Sequence, residues 1–229
     1  MTNESEIREA LRQKYQEKYP NALIRDEYTH GTLNTRNDLF LVDEKLTISF
    51  EIKSNGDTLK RLSMQHEEYK TYSSEVVIAI DKKHLRKFEK DYDHLIDGCT
   101  TIYIFDNNQL IEHIKGFPKK FPNVFNLLWS SELLLFRTGL KGLGANHLKK
   151  ILGKSSYHSE KFINLFFNED EIFRISKYLF TKRIKENWPT DYRRYNVSID
   201  CDLIKNIIKS KQSKFESWSK ENKEYYERN

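Results

Sequence analysis

The spacing of hydrophobic residues in the first half of the chain follows the periods of strands and helices. Residues 46–53 read Leu-Thr-Ile-Ser-Phe-Glu-Ile-Lys, with an apolar residue at almost every second position. This period of two predicts a strand with one buried face. Because successive side chains of a strand point to opposite faces, Glu51 and Lys53 are expected side by side on the other face.

The same reasoning predicts an α/β fold for residues 1–115, with a mixed sheet of about five strands flanked by helices. Residues 75–81 and 100–106 are almost uninterrupted apolar runs, typical of buried parallel strands. Asp57 is suited to cap the helix that follows the Glu51 strand. The predicted elements are a helix at 3–18, strands at 22–28, 38–42 and 46–53, a helix at 57–73, a strand at 75–81, a helical stretch at 82–96, and strands at 100–106 and 109–114.

The second half of the chain has a helical pattern. Two prolines and two lysines interrupt both periods at residues 116–122, which are interpreted as a linker. The linker separates a core at 1–115 from a basic, all-helical region at 123–229. Leu140–Gly144 resembles the turn of a helix-hairpin-helix, and an ordinary helix junction is the alternative. Helices are predicted at 124–137, 145–152, 159–167, 169–187 and 203–226.

Composition narrows the classes of protein to consider. The chain has 229 residues, of which 38% are hydrophobic, and only two cysteines, so a disulfide framework or a zinc site is not expected. No apolar stretch approaches the roughly 20 residues of a membrane span, and the N-terminal residues do not resemble a signal peptide. These features predict a cytoplasmic protein with no membrane partner.

Charge is distributed unevenly between the two halves. Residues 1–115 hold 17 Lys and Arg against 21 Asp and Glu, whereas residues 116–229 hold 22 against 13. A cationic half favours binding to a nucleic acid backbone, and a solvated lysine-rich surface is the alternative. The candidate contacts to nucleic acid are Lys60, Arg61, Lys141, Lys149 and Lys150.

Two carboxylates and a lysine form the main chemical candidate. Asp38 opens the strand before the Glu51 strand, and a hairpin turn at 43–45 places Asp38 near the same sheet end as Lys53. Carboxylate oxygens suit a hard cation such as Mg²⁺, which keeps waters for substrate to displace. The alternative is a surface salt bridge between Glu51 and Lys53.

The order of these residues resembles the PD-(D/E)XK nuclease superfamily. In that superfamily an aspartate opens one core strand and Glu-x-Lys lies on the next, as Asp38 and Glu51-Ile52-Lys53 do here. Gln65-x-x-x-Tyr69 is similar to the helix motif of the RecB-like branch. From residue 7 to residue 85 the chain is also similar to a poorly characterised group of small standalone bacterial and phage-borne members.

The resemblance implies specific roles for five residues. Asp38 and Glu51 would bind the metal together with the backbone carbonyl of Ile52. Lys53 would be the catalytic lysine, and Gln65 would assist at the metal or the water.

Other residues near the motif leave two interpretations open. Glu27 is either a further metal carboxylate or a surface acid, and Arg36 either contacts phosphate or pairs with an acid. Tyr69 is either a supporting site residue or a packing residue with its hydroxyl at the rim. Two groups are expected to have no site role: Glu6 and Glu9 as acids of a first helical turn, and His30, His66 and His84 as surface residues.

The expected function is a Mg²⁺-dependent nuclease that hydrolyses phosphodiester bonds in DNA, with Mn²⁺ able to substitute and RNA left open as a substrate. One alternative is a catalytically silent nucleic-acid-binding protein of the same fold. Another is a nuclease subunit that needs an unidentified protein partner in a defence or recombination system. A two-fold homodimer would be the simplest way to cut both strands of a duplex.

Overall fold

The chain forms two compact units in a computed structural model, Met1–Leu127 and Leu128–Asn229. The structure describes residues 3–29, 35–43, 46–119, 163–164, 166–185, 202–214, 216–218 and 220.

The first unit contains a mixed six-stranded sheet whose strands lie in the same order in space as in sequence. Neighbouring strands are parallel for β3–β4 and β4–β5 and antiparallel for the other three pairs. The elements are α1 (Glu4–Lys18), β1 (Leu23–Thr29), β2 (Arg36–Val42), β3 (Thr47–Lys53), α2 (Leu62–Lys70), β4 (Glu75–Asp81), α3 (Leu85–Asp91), β5 (Thr100–Asp106) and β6 (Gln109–Ile114).

The predicted order of elements is confirmed, and the α/β class with it. The sheet has six strands, one for each predicted strand segment, which is slightly more than the expected count of about five. The helical stretch expected at 82–96 is confirmed, and it consists of the short α3 flanked by 3₁₀ turns at Lys82–His84 and Asp93–Leu95. The β2–β3 hairpin that was to bring Asp38 near Lys53 is present as an antiparallel pair.

Helix α1 covers one face of the sheet. Its buried residues Ile7, Leu11 and Tyr15 are spaced by four, so they form one stripe along the helix. The ring of Tyr15 meets that of Phe50 on β3 edge-on, with 4.8 Å between centroids. This stripe packs on apolar residues of four strands, β2 to β5, which include Leu39, Leu41, Ile48, Phe50, Ile52, Val77, Ala79, Tyr103 and Phe105.

Helix α2 covers the opposite face, so every residue of β3 is buried. The prediction of a strand with one buried face is therefore wrong. The polar residues on this second face are paired: the hydroxyl of Thr47 donates to the carbonyl of Tyr72 at 2.8 Å, and the hydroxyls of Ser49 and Ser73 lie 2.6 Å apart. Glu51 and Lys53 lie on the same face.

Helix α2 begins five residues later than predicted, at Leu62. Asp57 does not cap it, because the Asp57 carboxylate instead accepts the backbone N–H and the hydroxyl of Ser54, at 2.8 and 2.6 Å. The segment between β3 and α2 is therefore a closed turn that immediately follows Lys53.

The pairing of β1 with β2 is interrupted at Glu27 and Asp38, which lie opposite each other between two paired positions. Side chains of β1 before and after this point lie on opposite faces of the sheet. Asp26 pairs with α1, whereas Tyr28 stacks on Phe40, on the face that α2 covers. Residues two apart on a regular strand share a face. The left-handed backbone of Glu27, with φ of 51°, accounts for the change.

The second unit is helical where the structure describes it, which confirms the predicted helical C-terminal region. Its helices are α4 (Glu169–Lys185) and α5 (Asp202–Ser210). Asn168 and Glu171 exchange hydrogen bonds of 2.9 and 3.0 Å at the start of α4, which satisfies two N–H groups of its first turn. The predicted helices at 124–137 and 145–152 and the Leu140–Gly144 turn lie outside the described residues.

Across the described ranges of both units, no helix is long and apolar enough to cross a membrane.

The residues that follow β6 are hydrogen-bonded to the rest of the first unit. Phe117 donates its N–H to the carbonyl of Gly98, and Lys119 donates to that of Ser74, both at 2.8 Å. Gly116 is buried between these contacts and the end of the sheet. The assignment of 116–122 as a linker stays a prediction.

Gly116→Ala is expected to destabilise the first unit. A Cβ at this position would lie 2.7 Å from the carbonyl carbon of Thr100, and backbone atoms cannot easily move away. We expect a loss of roughly 1–3 kcal/mol in the free energy of unfolding, measured by chemical denaturation. Gly98→Ala is the matched control, since its Cβ would meet nothing within 4 Å. Equal losses in both variants would contradict this account of Gly116.

Candidate active site

Glu51 and Lys53 form a buried ion pair at the carboxyl end of β3. Their side chains lie on the face that α2 covers, and only 2% of Glu51 and 5% of Lys53 is exposed. The Lys53 ammonium donates to Oε1 of Glu51. A surface salt bridge, the alternative for these residues, is therefore wrong. Because a buried charge is costly unless it is fully partnered, the surroundings of this pair are constrained.

Helix α2 provides the remaining partners of the ion pair. Lys53 also donates to Oε1 of Gln65 at 3.2 Å, and the hydroxyl of Tyr69 donates to Oε2 of Glu51 at 2.7 Å. Gln65 and Tyr69 are four residues apart, so both project from the same side of the helix. Their predicted position on the inward stripe is confirmed, and Tyr69 also reaches the carbonyl of Arg36 at 2.8 Å.

Asp38 lies where β2 and β3 separate. The paired positions of these strands end at Leu39–Phe50, one step before Asp38. Oδ2 of Asp38 accepts the backbone N–H of Ile52 at 2.6 Å, so a side chain takes the place of a β2 carbonyl. The N–H and C=O of one strand residue point to the same side, so the Ile52 carbonyl faces the same gap. This is the carbonyl that the resemblance assigns to a metal.

The surroundings of the site shift the pKa values of Asp38 and Tyr69. Burial, and secondly the charge of Glu51, raise the pKa of Asp38 to about 7, although the Ile52 N–H opposes the shift. Burial and the Glu51 charge also raise the pKa of Tyr69 far above its usual range, so Tyr69 remains a hydrogen-bond donor. Asp38 is thus a group that can exchange a proton near neutral pH.

A second set of acids meets at Asp38. Glu4 of α1, Glu27 of β1 and Asp38 of β2 each offer a carboxylate oxygen within 4.8 Å of the other two. We call these three residues the acid cluster. Glu51 is described by the structure but is not a member of the cluster. Glu27, one of the predicted site residues, therefore lies beside Asp38, while both oxygens of Glu51 are engaged by Lys53 and Tyr69.

Two arginines neutralise the acid cluster. Arg8 of α1 donates to Glu4, to Oε1 of Glu27 at 2.6 Å and to the backbone carbonyl of Asp38 at 2.9 Å. Arg36 binds the other oxygen of Glu27 at 2.7 Å. Of the two predicted roles of Arg36, pairing with an acid is the one that the structure contains.

Sequence reasoning missed Glu4 and Arg8. Arg8 follows Ile7 directly, whereas Glu4 precedes Ile7 by three residues, and their spacing of four is that of an ordinary surface ion pair. Glu6, for which no site role is expected, accepts the N–H of Asn3 at 3.0 Å and helps to cap α1. Glu4 differs from the other acids of α1 only because the fold places the first turn of the helix beside Glu27.

The expectation that the histidines are surface residues is wrong for two of them. His66 is 1% exposed and lies 2.8 Å from the hydroxyl of Thr100. Nε2 of His84 lies 2.9 Å from the carbonyl of Ser54, in the closed turn after Lys53. His84 therefore helps to fix the end of β3, while His30 lies outside the described residues.

The candidate contacts to nucleic acid are only partly visible. Lys60 and Arg61 are exposed immediately before α2. Lys141, Lys149 and Lys150 lie outside the described residues, so their role stays a prediction.

A comparison with protein families identifies the family of the chain. The model described as bacteriophage P4 protein cII matches residues 1–127. The chain belongs to this family. The matched residues coincide with the first compact unit, Met1–Leu127, so the cII family region contains the whole sheet and the candidate active site.

Comparisons beyond the cII family add little. No curated protein matches the chain. A solved structure of a protein of unknown function from Silicibacter pomeroyi is 11% identical, with 63% of this chain and 97% of that chain covered and a TM-score of 0.40. A similarity of that size supports no argument about fold or function.

The donors in this part of the cII family region fit a hard divalent cation. The acid cluster offers three carboxylates from three separate elements, and oxygen ligands are those that Mg²⁺ and Mn²⁺ prefer. The set contains no sulfur, and no imidazole belongs to it. Asp38 is the residue common to the cluster and to the predicted pair with Glu51.

The raised pKa of Asp38 gives a stability prediction. Without metal, folded Asp38 keeps its proton to about pH 7, whereas in the unfolded chain it loses the proton near its ordinary pKa of 3.8. Because the folded state binds the extra proton between these values, stability falls as pH rises through them. We expect Asp38→Asn, whose amide oxygen can still accept the Ile52 N–H, to remove this dependence.

The test compares free energies of unfolding in EDTA. The advantage of Asp38→Asn over the natural chain should grow by roughly 2 kcal/mol between about pH 5 and pH 7.5. A difference that is constant over this range would show that Asp38 does not titrate there.

Proposed function

We propose that this chain is a Mg²⁺- or Mn²⁺-dependent nuclease that hydrolyses phosphodiester bonds in DNA. The observation that supports it most is the buried, fully partnered pair of Glu51 and Lys53 beside the half-buried Asp38. A buried ion pair commonly adds little stability to a core compared with well-packed apolar residues. Perturbed titrating groups held beside a converging set of carboxylates are typical of active sites.

The proposed roles follow from the positions of the side chains. Asp38, with Glu27 and Glu4 beside it, would bind the cation, and Glu51 would join if it exchanged one of its partners for the ion. A bound divalent cation would polarise a phosphoryl oxygen and lower the pKa of a coordinated water. Lys53, held by Glu51 and Gln65, would orient the attacking water or offset the charge that develops on the phosphate.

The rest of the chain would bind the substrate. Residues 116–229 have a net charge of +9, while the first half, with its metal acids, would repel a polyanion. DNA in the cytoplasm is the substrate that we propose, and a requirement for a second protein or a second copy of this chain is compatible with the same chemistry.

One observation favours a second candidate function, a catalytically silent nucleic-acid-binding protein. Both oxygens of Glu51 are already engaged, and Arg8 already neutralises Glu4 and Glu27. A protein that had lost metal binding would need such internal neutralisation. The two candidates differ in whether divalent cations change what happens to the nucleic acid.

Replacing Lys53 is the direct test of the nuclease. Purified protein is incubated with single- and double-stranded, linear and circular DNA, and with RNA, in Mg²⁺, Mn²⁺ or EDTA. Since a positioned charge at the reacting phosphate typically contributes 10²–10³-fold or more, we expect Lys53→Met to lower the cleavage rate by at least about 100-fold. Asp38→Asn should lower it to a similar extent.

The matched control is Lys87→Met. Lys87 is exposed and pairs with Asp91 on α3, so its loss removes the same charge without affecting the site. Cleavage in EDTA, or equal rates for the Lys53 and Lys87 variants, would contradict the proposed chemistry. Binding without cleavage under every condition would favour the silent protein.

The basic half predicts a change in salt dependence. DNA affinity in EDTA is measured from about 50 to 300 mM salt for the full chain and for residues 1–127. Each phosphate that the second unit contacts should steepen the slope of log K against log salt by about 0.9. Because residues 1–127 hold 19 Lys and Arg against 21 Asp and Glu, we expect weaker binding with a shallower slope. Equal slopes would show that the second unit does not bind the backbone.

A further inference from the structure

Arg8 occupies the same carboxylates that the acid cluster would offer to a metal. Its guanidinium group donates to Glu4 and to Glu27, and it lies 3.7 Å from an oxygen of Asp26. The side chain is only 17% exposed. The cluster therefore already binds a cation, one that the chain itself supplies.

The position of Arg8 also connects three elements. Glu4 lies on the same helix, Glu27 is on β1, and the carbonyl of Asp38, which accepts a bond of 2.9 Å, is on β2. A divalent ion bound by Glu4, Glu27 and Asp38 would connect the same three elements. The guanidinium and the ion would repel each other, and both would bind the carboxylates of Glu4 and Glu27.

We propose that Arg8 is an internal competitor of the divalent ion, which holds Glu4 and Glu27 in place in the metal-free protein and is displaced from them when the ion binds. This inference rests on the proposed function in one respect, namely that a divalent ion binds at Asp38. Arg8 is a positioning residue in this account. It sets the metal affinity and keeps the repulsion between Glu4 and Glu27 from separating α1 from the β1–β2 ribbon.

Arg12 provides a matched control on the same helix. It lies one turn beyond Arg8 and pairs with Asp26 and Glu9, neither of which belongs to the acid cluster. Replacing either arginine by glutamine removes one positive charge from nearly the same place. A general change in the electrostatic field would therefore affect metal binding similarly in both variants, whereas competition for Glu4 and Glu27 is specific to Arg8.

The experiment measures Mn²⁺ binding to the full chain by calorimetry and thermal unfolding with and without Mn²⁺. We expect Arg8→Gln to bind Mn²⁺ about tenfold more tightly than the natural chain, because the ion no longer has to displace a charge-assisted pair. Its metal-free Tm should fall by roughly 2–6 °C, and Mn²⁺ should raise that Tm more than it raises the Tm of the natural chain. Arg12→Gln should leave the Mn²⁺ affinity within about twofold.

A conservative variant separates competition from folding. Arg8→Lys keeps the charge but loses the forked geometry, so its Mn²⁺ affinity should lie between those of the natural chain and Arg8→Gln. A lower Tm for Arg8→Gln without tighter Mn²⁺ binding would show a purely structural role and overturn the inference. Absence of Mn²⁺ binding by the natural chain and by Arg8→Gln would overturn it as well.

Cleavage assays on the same preparations distinguish the two proposals. If Arg8→Gln binds Mn²⁺ more tightly but no preparation cleaves nucleic acid, the nuclease proposal fails and the role of Arg8 stands. If the natural chain cleaves DNA with metal but the two arginine variants bind Mn²⁺ equally, the role of Arg8 fails and the nuclease proposal stands.

Discussion

The buried pair of Glu51 and Lys53 is the interaction on which the first unit depends. A central strand with an acid and a base on its inner face is stable only if each polar atom finds a partner. Gln65 and Tyr69 meet that need, and their spacing fixes both the rotation of α2 and its height above the sheet. The Tyr69 hydroxyl also lies 2.8 Å from the carbonyl of Arg36, so it connects α2 to the start of β2. One ion pair thus determines how a helix and two strands fit together.

The carboxylates near the site differ in the groups that neutralise their charge or bind their oxygens. Glu51 has Lys53, and Glu4 and Glu27 have Arg8 and Arg36. Asp38 differs from them: among the described residues, its carboxylate accepts a hydrogen bond from a backbone N–H, that of Ile52, rather than from a cation. Burial and the charge of Glu51 raise its pKa, so Asp38 is the position where an added cation would stabilise the site most.

Local patterns in the sequence predicted much of this arrangement. The alternation around Phe50 located β3, and the spacing of Gln65 and Tyr69 placed both on the inner side of α2. What could not be predicted depends on contacts between distant segments. The Asp57 carboxylate accepts hydrogen bonds from Ser54 instead of capping α2. The turn that they form also places the Ser54 carbonyl against His84, which is therefore buried. The meeting of Glu4 with Glu27 requires a strand that changes face, for which no local period gives a signal.

The left-handed backbone of Glu27 has a consequence for the balance between folding and function. A residue other than glycine in this conformation typically costs on the order of 1 kcal/mol, and asparagine or glycine would tolerate it better. Optimisation for thermostability alone would therefore favour replacing Glu27, and would remove one acid of the cluster with it. At position 27, therefore, the residue that would make the protein more stable differs from the residue that completes the acid cluster.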